Sequence, residues 1–389
     1  MRTYRYVSAD SHIHNNPDRW AQRVPAEYRE RLPRRVELPG GREGMMDEEG
    51  HVSSGGTGHF CTLGPEGFDP TIMHYESEAG YGPPDQRLRE MDADGLDAEI
   101  LFTFTGSVFG PGVHKDKGYA VDVYHAYNAY IGEEFCAHAP DRLLGIGLLP
   151  NKGVDEDIAE MEHCAKLGLR GVMLQIYPSG KPHPTEEDDR FWAAALDLNM
   201  PLTIHTQMSH RGNTRGEFLL KYPKEPEGYE RPPVDLVHLM SRYMHHHCGG
   251  LEITQMVVSG LFEQFPDLRI YWAENNFGWL PEFMEQMDLA YEANHIWAER
   301  ILGVKPLARR PSEYVRENAY FGFFDDPFGI RIRHEVGVDH VLWGSDFPHE
   351  VSRWPHSIEY LHQQFATVPE EETRKMLCEN AVKFFNLDQ

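Results

Sequence analysis

Apolar and polar positions along the chain follow two alternating periods. Near the start, "RYVSADSH" alternates with period two: Val7 and Ala9 face outward onto helices, Ser8 and Asp10 face inward. From Asp85 onward, period-two or apolar runs and amphipathic helical runs take turns. The strands are "AEILFTF", "LLGIGLLP", "LRGVMLQIYP", "PLTIHTQ", "LRIYWAEN", "AYFGFF" and "DHVLWGSDFPHE". Between them lie helical segments such as "DQRLREMDADGLD", "YAVDVYHAYNAYIGEEFCAHA", "DEDIAEMEHCAKLG" and "LPEFMEQMDLAYEANHIWAERIL", and "TRKMLCENAVKFFNL" closes the chain. With the first, this makes eight strands, each followed by helix.

Repeated βα units imply a parallel sheet, and eight imply an α/β fold of the (β/α)8 TIM-barrel type. An open doubly wound sheet is the weaker reading, because no Gly-rich phosphate turn follows the first strand. One stretch breaks the rhythm. Residues 39–84, centred on "GGREGMMDEEGHVSSGGTGH", are rich in Gly, Ser and acidic residues and too long for an ordinary connection. They read as a long insertion after strand one: a functional flap or a partly disordered segment. No composition break marks a second domain, so residues 1–389 are expected to form one barrel domain.

Composition narrows the function. With 389 residues, 40% hydrophobic and 25% charged, the chain has the means for a packed core. A net charge of −25 repels phosphate backbones and argues against a nucleic-acid partner. The five cysteines are scattered without CxxC spacing, which argues against a disulfide framework or zinc knot. "MRTYRYVSAD" has no apolar signal core, and no stretch reaches the apolar length of a membrane span. The expectation is a cytoplasmic enzyme acting on a small molecule, with a homodimer as the entertained assembly.

Barrel enzymes carry their chemistry at the C-terminal ends of strands. Strand one ends in Asp10, His12 and His14, at every second position; strand five carries His205. Strand six ends in Glu274, Asn275 and Asn276, and strand eight in Asp346 and His349. Each has a plain structural explanation when taken alone. A strand-end His is usually hydrogen-bonded structure, and an Asp often caps a helix. Together, His and carboxylate groups from separate strands at one rim suit a divalent ion, with Zn, Mn or Fe all compatible. Arg211 and Arg215, in the long segment after strand five, are candidates to meet a substrate carboxylate, and Asn275 is a further substrate-binding candidate. His245, His246 and His247 point in different directions on a helix and make a poor single-metal site.

This pattern resembles the amidohydrolase superfamily, in the amidohydrolase-related branch that contains aminocarboxymuconate-semialdehyde decarboxylase and the resorcylate-type aromatic decarboxylases. "DSHIH" matches the first-strand motif, His205 in "LTIHTQ" the strand-five His, and Asp346 in "LWGSDFPH" the strand-eight Asp. The resemblance spans the chain apart from the insertion. It implies metal ligands His12, His205 and Asp346, completed by Asp10 or His14; both registers share His12. It also implies Asp346 as proton carrier, with His349 beside it. Where family decarboxylases often have a strand-six His, this chain has Glu274, a candidate acid or base. On that departure the primary expectation is hydrolysis by metal-activated water. The alternative is non-oxidative decarboxylation of an aromatic or enoic acid.

Overall fold

The computed structural model describes residues 2–13, 17–38, 42–53, 79–103, 113, 115–208, 220–221, 223–224, 237, 249–349 and 351–388. Contacts group the chain into two compact units, one of Met1–Pro150, Glu160–Val172 and Leu342–Gln389, the other of Asn151–Ala159 and Met173–Val341.

In the first unit, β1 (Val7–Ile13) is buried along its whole length. Such a strand must carry apolar or well-bonded polar residues on both faces. Next comes an antiparallel sheet of β2 (Arg34–Leu38), β3 (Arg42–Met46) and β4 (Val52–Ser53). Residues 42–53, within the stretch expected as an insertion, thus supply β3 and β4, and the sheet they join starts at Arg34, ahead of that stretch. "RRVEL" and "REGMM" lack the apolar alternation that would have marked them as strands. The parallel sheet continues with β5 (Ala98–Thr103) and β6 (Leu143–Gly145), in the order β1-β5-β6. The short β7 (Gly147–Leu148) completes the strands of this unit.

Helix α1 (Pro84–Asp94) starts with proline at its first position and stops at Gly95, whose φ of 79° is the left-handed cap conformation glycine adopts without strain. Its inward face is largely charged: Arg87, Glu90 and Asp94 are buried along with Met91. Helix α2 (Lys117–Tyr130) is capped by Asp116, which accepts from the Tyr119 N–H, and buries Tyr119, Tyr124, Tyr127 and Tyr130. Helix α3 (Val154–Lys166) places Asp155, Glu156 and Asp157 in its first turn and Lys166 in its last, matching its dipole.

The second unit holds β9 (Leu202–His205), β10 (Ile270–Ala273) and β11 (Ala319–Phe323), parallel neighbours in that order. Two short strands, β8 (Val172–Met173) and β12 (Val341–Trp343), each take residues from both units. Every strand expected from the periodicity therefore contains an observed strand, although β6, β7, β8 and β12 are shorter than their apolar runs. No helix among the described residues is long and apolar enough to cross a membrane.

Asn128 of α2 is fully buried and locks α2 to β7. Its Nδ2 donates to the Leu148 carbonyl (2.8 Å) and to Glu160 (2.7 Å), and its Oδ1 accepts from the Leu148 N–H (2.9 Å). Asn128→Ala would leave buried backbone groups without these partners, so unfolding free energy should drop by roughly 2–4 kcal/mol, read from urea midpoints. A loss under about 0.5 kcal/mol, the range of ordinary surface changes, would show that water replaces the bonds.

Candidate metal centre and active site

The end of β1 departs from strict alternation. Val7 and Ser8 pair with Ala98 and Glu99, and Ser11 pairs with Leu101, so β1 carries one residue more than β5 between Ser8 and Ser11. Such a bulge re-aims side chains at a strand end. Here Ser8 and Ser11, three apart, have their hydroxyls 2.9 Å from each other, and both reach Ser345 Oγ, at 3.1 and 3.0 Å. Ser8 is therefore part of a hydroxyl cluster and not of the Asp10 set with which alternation groups it. The backbone completes the junction: the His12 N–H donates to the Phe347 carbonyl (2.7 Å), the Asp346 N–H to the Asp10 carbonyl (2.8 Å) and the Ser345 N–H to Ser8 Oγ (2.8 Å). Gly344 makes room for this approach, since a Cβ there would lie 2.5 Å from Asp10 Cβ.

This junction gathers four of the expected residues. His12 Nε2 lies 2.9 Å from Asp346 Oδ1 and 3.6 Å from Asp10 Oδ1. His349 Nδ1 lies 2.9 Å from the same Asp346 oxygen, and its ring stacks on His12 with centroids 4.0 Å apart. Asp10, His12, Asp346 and His349 are all buried. Both Asp346 oxygens are buried and accept no well-formed hydrogen bond among the described residues, despite two imidazole nitrogens at 2.9 Å. A buried carboxylate without hydrogen bonds is costly unless a cation faces it. Two carboxylates and two imidazoles so disposed are a donor set that fits a divalent ion. Asp346 also sits at φ 52°, a left-handed conformation that costs an L-residue about 1–3 kcal/mol and collects at functional sites.

In the second unit, β9 ends at His205, which pairs in register with Ala273 of β10, and Glu274 follows. His205 Nε2 and Glu274 Oε2 are 3.5 Å apart, and both residues are part-exposed. The same left-handed backbone recurs at Thr206 (φ 57°), Glu274 (φ 55°) and Asn276 (φ 50°). Asn275 spends its Nδ2 on the Thr206 and Ala273 carbonyls, at 2.9 and 2.8 Å, which ties the two strand ends together. Asp326 holds the chain beyond them, accepting from the N–H groups of Phe277, Gly278 and Gly329. His14, Arg211, Arg215 and the His245–His247 run lie outside the described residues.

The sequence pattern of the Amidohydrolase family matches residues 9–387, nearly the whole chain. The chain belongs to this amidohydrolase family. It is 21% identical, over 90% of both chains, to 2-amino-3-carboxymuconate-6-semialdehyde decarboxylase of Dictyostelium discoideum. Among solved structures it resembles an amidohydrolase of Mycobacterium avium subsp. paratuberculosis, with TM-score 0.69, 17% identity and coverage of 99% and 100% of the two chains. It also resembles 5-carboxyvanillate decarboxylase of Novosphingobium aromaticivorans, solved with bound manganese and 3-methoxy-4-hydroxy-5-nitrobenzoic acid, with TM-score 0.63, 17% identity and coverage of 98% and 97%. The α/β barrel class expected from the strand count is thereby the fold of this amidohydrolase-family enzyme.

Several residues that organise the site escaped the sequence reading. Ser8, Ser11 and Ser345 carried no signal beyond lying in the strand-end motifs. Arg87 was hidden in an apparently amphipathic helix: its Nε donates to buried Glu99 at 2.6 Å, and its guanidinium lies over the Phe347 ring, 4.5 Å from the centroid, one residue past Asp346. A cavity of about 500 Å³ in the second unit is lined by residues such as Trp192, Lys221, Glu263 and Lys305; among the described residues its wall holds no histidine and none of the strand-end groups.

Burial pushes the Glu99 carboxyl above its ordinary value, and Arg87 pulls it back. Arg87→Met would leave Glu99 buried without its cation, lowering stability by roughly 3–5 kcal/mol at neutral pH. The raised folded-state value fixes the sign. Glu99 then binds its proton more tightly folded than unfolded, so the variant should be most stable below the unfolded value of about 4.3 and lose stability as pH rises through the folded one. Denaturant midpoints of variant and parent across pH 4–8 test this; a difference that does not change with pH would contradict it.

Proposed function

We propose that this chain is a metal-dependent, non-oxidative decarboxylase of a small hydroxylated aromatic or enoic carboxylic acid. The similarity of nearly the whole chain to a carboxymuconate-semialdehyde decarboxylase carries the reading. The resemblance to 5-carboxyvanillate decarboxylase supports it. It reverses the order of the two expectations drawn from Glu274. Hydrolysis stays as the second reading, on the specific ground that Glu274 stands where family decarboxylases often carry His.

In the proposed arrangement, Asp10, His12 and Asp346 hold one divalent ion together with His205. His14 is the alternative first-strand ligand. When bound, the ion supplies a Lewis-acid anchor for the substrate carboxylate and its neighbouring oxygen. The remaining steps belong to the side chains. Asp346, as the acid, delivers a proton to the carbon that bears the carboxylate. The C–C bond then breaks, its electron pair stays with that carbon, and CO2 leaves. His349, with Nδ1 2.9 Å from Asp346, relays the replacement proton from solvent. Glu274 acts as a second acid or base at the substrate, and Arg211, Arg215 and Asn275 orient its carboxylate and ring substituents. The whole chain works as one barrel domain in a cytoplasmic setting, with part of residues 39–84 covering the substrate.

Metal analysis and product assays test the proposal. His12→Ala and His205→Ala should each lose most of the tightly bound ion while the fold survives. Retention of a full equivalent in both variants would remove them from the ligand set. The manganese- or zinc-loaded protein should release CO2 from a panel of hydroxybenzoates and carboxymuconate-type acids. Asp346→Asn should lower that rate by more than the roughly 10²–10⁴ of a general acid alone, because metal geometry suffers too. Hydrolysis of amides or esters without any CO2 release would establish the second reading instead. Glu274→Gln separates chemistry from anchoring: loss of turnover with the ion retained marks a catalytic group, whereas kcat within about tenfold marks an anchor, below the general acid–base range.

A further inference from the structure

Away from the strand ends, helices α2 and α3 bring a second set of metal-type ligands together. His125 comes from α2; Glu160 and His163 come from α3, three residues apart and so on one face of that helix. One ligand atom from each lies within 4.8 Å of the others. His125 Nδ1 is 3.0 Å from Glu160 Oε2, and the two imidazoles stack with centroids 3.7 Å apart. Ligands on a tetrahedral zinc ion, at about 2.0–2.1 Å from the metal, stand about 3.3 Å from each other, close to the 3.0 Å between His125 Nδ1 and Glu160 Oε2.

Two features separate this cluster from an ordinary surface ion pair. Glu160 is only 4% exposed, and its other oxygen accepts from buried Asn128 at 2.7 Å, so Oε2 is held at the mouth of the cluster by a fixed partner. Such backing is what orients carboxylate ligands in metal sites. His163 Nε2 is buried and has no hydrogen-bond partner among the described residues. A buried imidazole nitrogen beside a positioned carboxylate and a half-exposed imidazole can serve as a metal ligand.

We propose that His125, Glu160 and His163 bind a second divalent ion of borderline softness, Zn²⁺ above all, with the remaining coordination position open to solvent. Two imidazoles and one carboxylate select Zn²⁺, Cu²⁺ or Ni²⁺ over Mg²⁺ or Ca²⁺. The ion would clamp α2 to α3 and take no part in turnover. The assignment is independent of the proposed reaction.

Competition titrations of metal-free protein with Zn²⁺ and a chromophoric chelator test it. The parent should bind two ions, and the His125→Gln/His163→Gln variant should lose one while keeping its enzymatic rate. His12→Ala/His205→Ala should lose the other and keep the α2–α3 ion. His125→Gln alone, at a side chain 54% exposed, guards against misfolding and should weaken the second ion at least tenfold. Added Zn²⁺ should raise the melting temperature of His12→Ala/His205→Ala, and this rise should vanish when both helix histidines are also replaced. Equal stoichiometry and affinity in the parent and in both helix variants would overturn the proposal, leaving a bare ion pair. A single bound ion that only His12 and His205 control would overturn it equally.

Discussion

The short backbone junction between β1 and the segment after β12 is the constraint on which the cluster of Asp10, His12, Asp346 and His349 depends. The Asp346 N–H reaches the Asp10 carbonyl and the His12 N–H reaches the Phe347 carbonyl, so residues more than 330 positions apart are held at hydrogen-bond distance. Three buried hydroxyls, Ser8, Ser11 and Ser345, close the space beside these bonds. Buried hydroxyls are tolerated only when bonded, and here they bond chiefly one another and backbone. The bulge in β1 supplies the extra residue that lets Ser8 and Ser11 face that cluster while Asp10 and His12 share another.

Backbone strain gathers at strand ends within each unit. Asp346, Glu274, Thr206 and Asn276 all take left-handed backbone, and Thr206 is β-branched, where that conformation is least comfortable. Neighbouring bonds hold three of them: Asn275 donates to the Thr206 carbonyl, the Asp346 N–H to the Asp10 carbonyl and the Asn276 N–H to the Gly322 carbonyl. The Arg87–Glu99 pair sits behind Phe347 and fixes the residue that follows Asp346. Hydrophobic packing would not select such groups. Their presence is what a site needs when side chains must stand at defined distances in a dry surrounding.

The ligand types leave the reaction open between two outcomes, because a divalent ion that activates water and one that anchors a carboxylate use the same His and Asp donors. Family membership and the decarboxylase relatives weight the choice toward loss of CO2. Glu274, part-exposed and 3.5 Å from His205, is the group whose chemistry distinguishes them.

The sequence by itself determined the alternation of strand and helix, the α/β class, and the placement of Asp10, His12, His205, Glu274, Asp346 and His349 at strand ends. Those features are local: a period of two or 3.6, and a polar residue where an apolar run stops. It did not reveal the antiparallel β2–β3–β4 sheet, because "RRVEL" and "REGMM" carry no alternation and are strands only through their pairing. The bulge was equally hidden, since one extra residue is defined against β5 and not within β1. Nor did composition mark Arg87 or Asn128, whose partners Glu99, Phe347, Leu148 and Glu160 lie 12 to 260 residues away. Only the tertiary structure decided these, because a buried charge or amide is satisfied by whatever the fold brings beside it, and no periodicity encodes that neighbour.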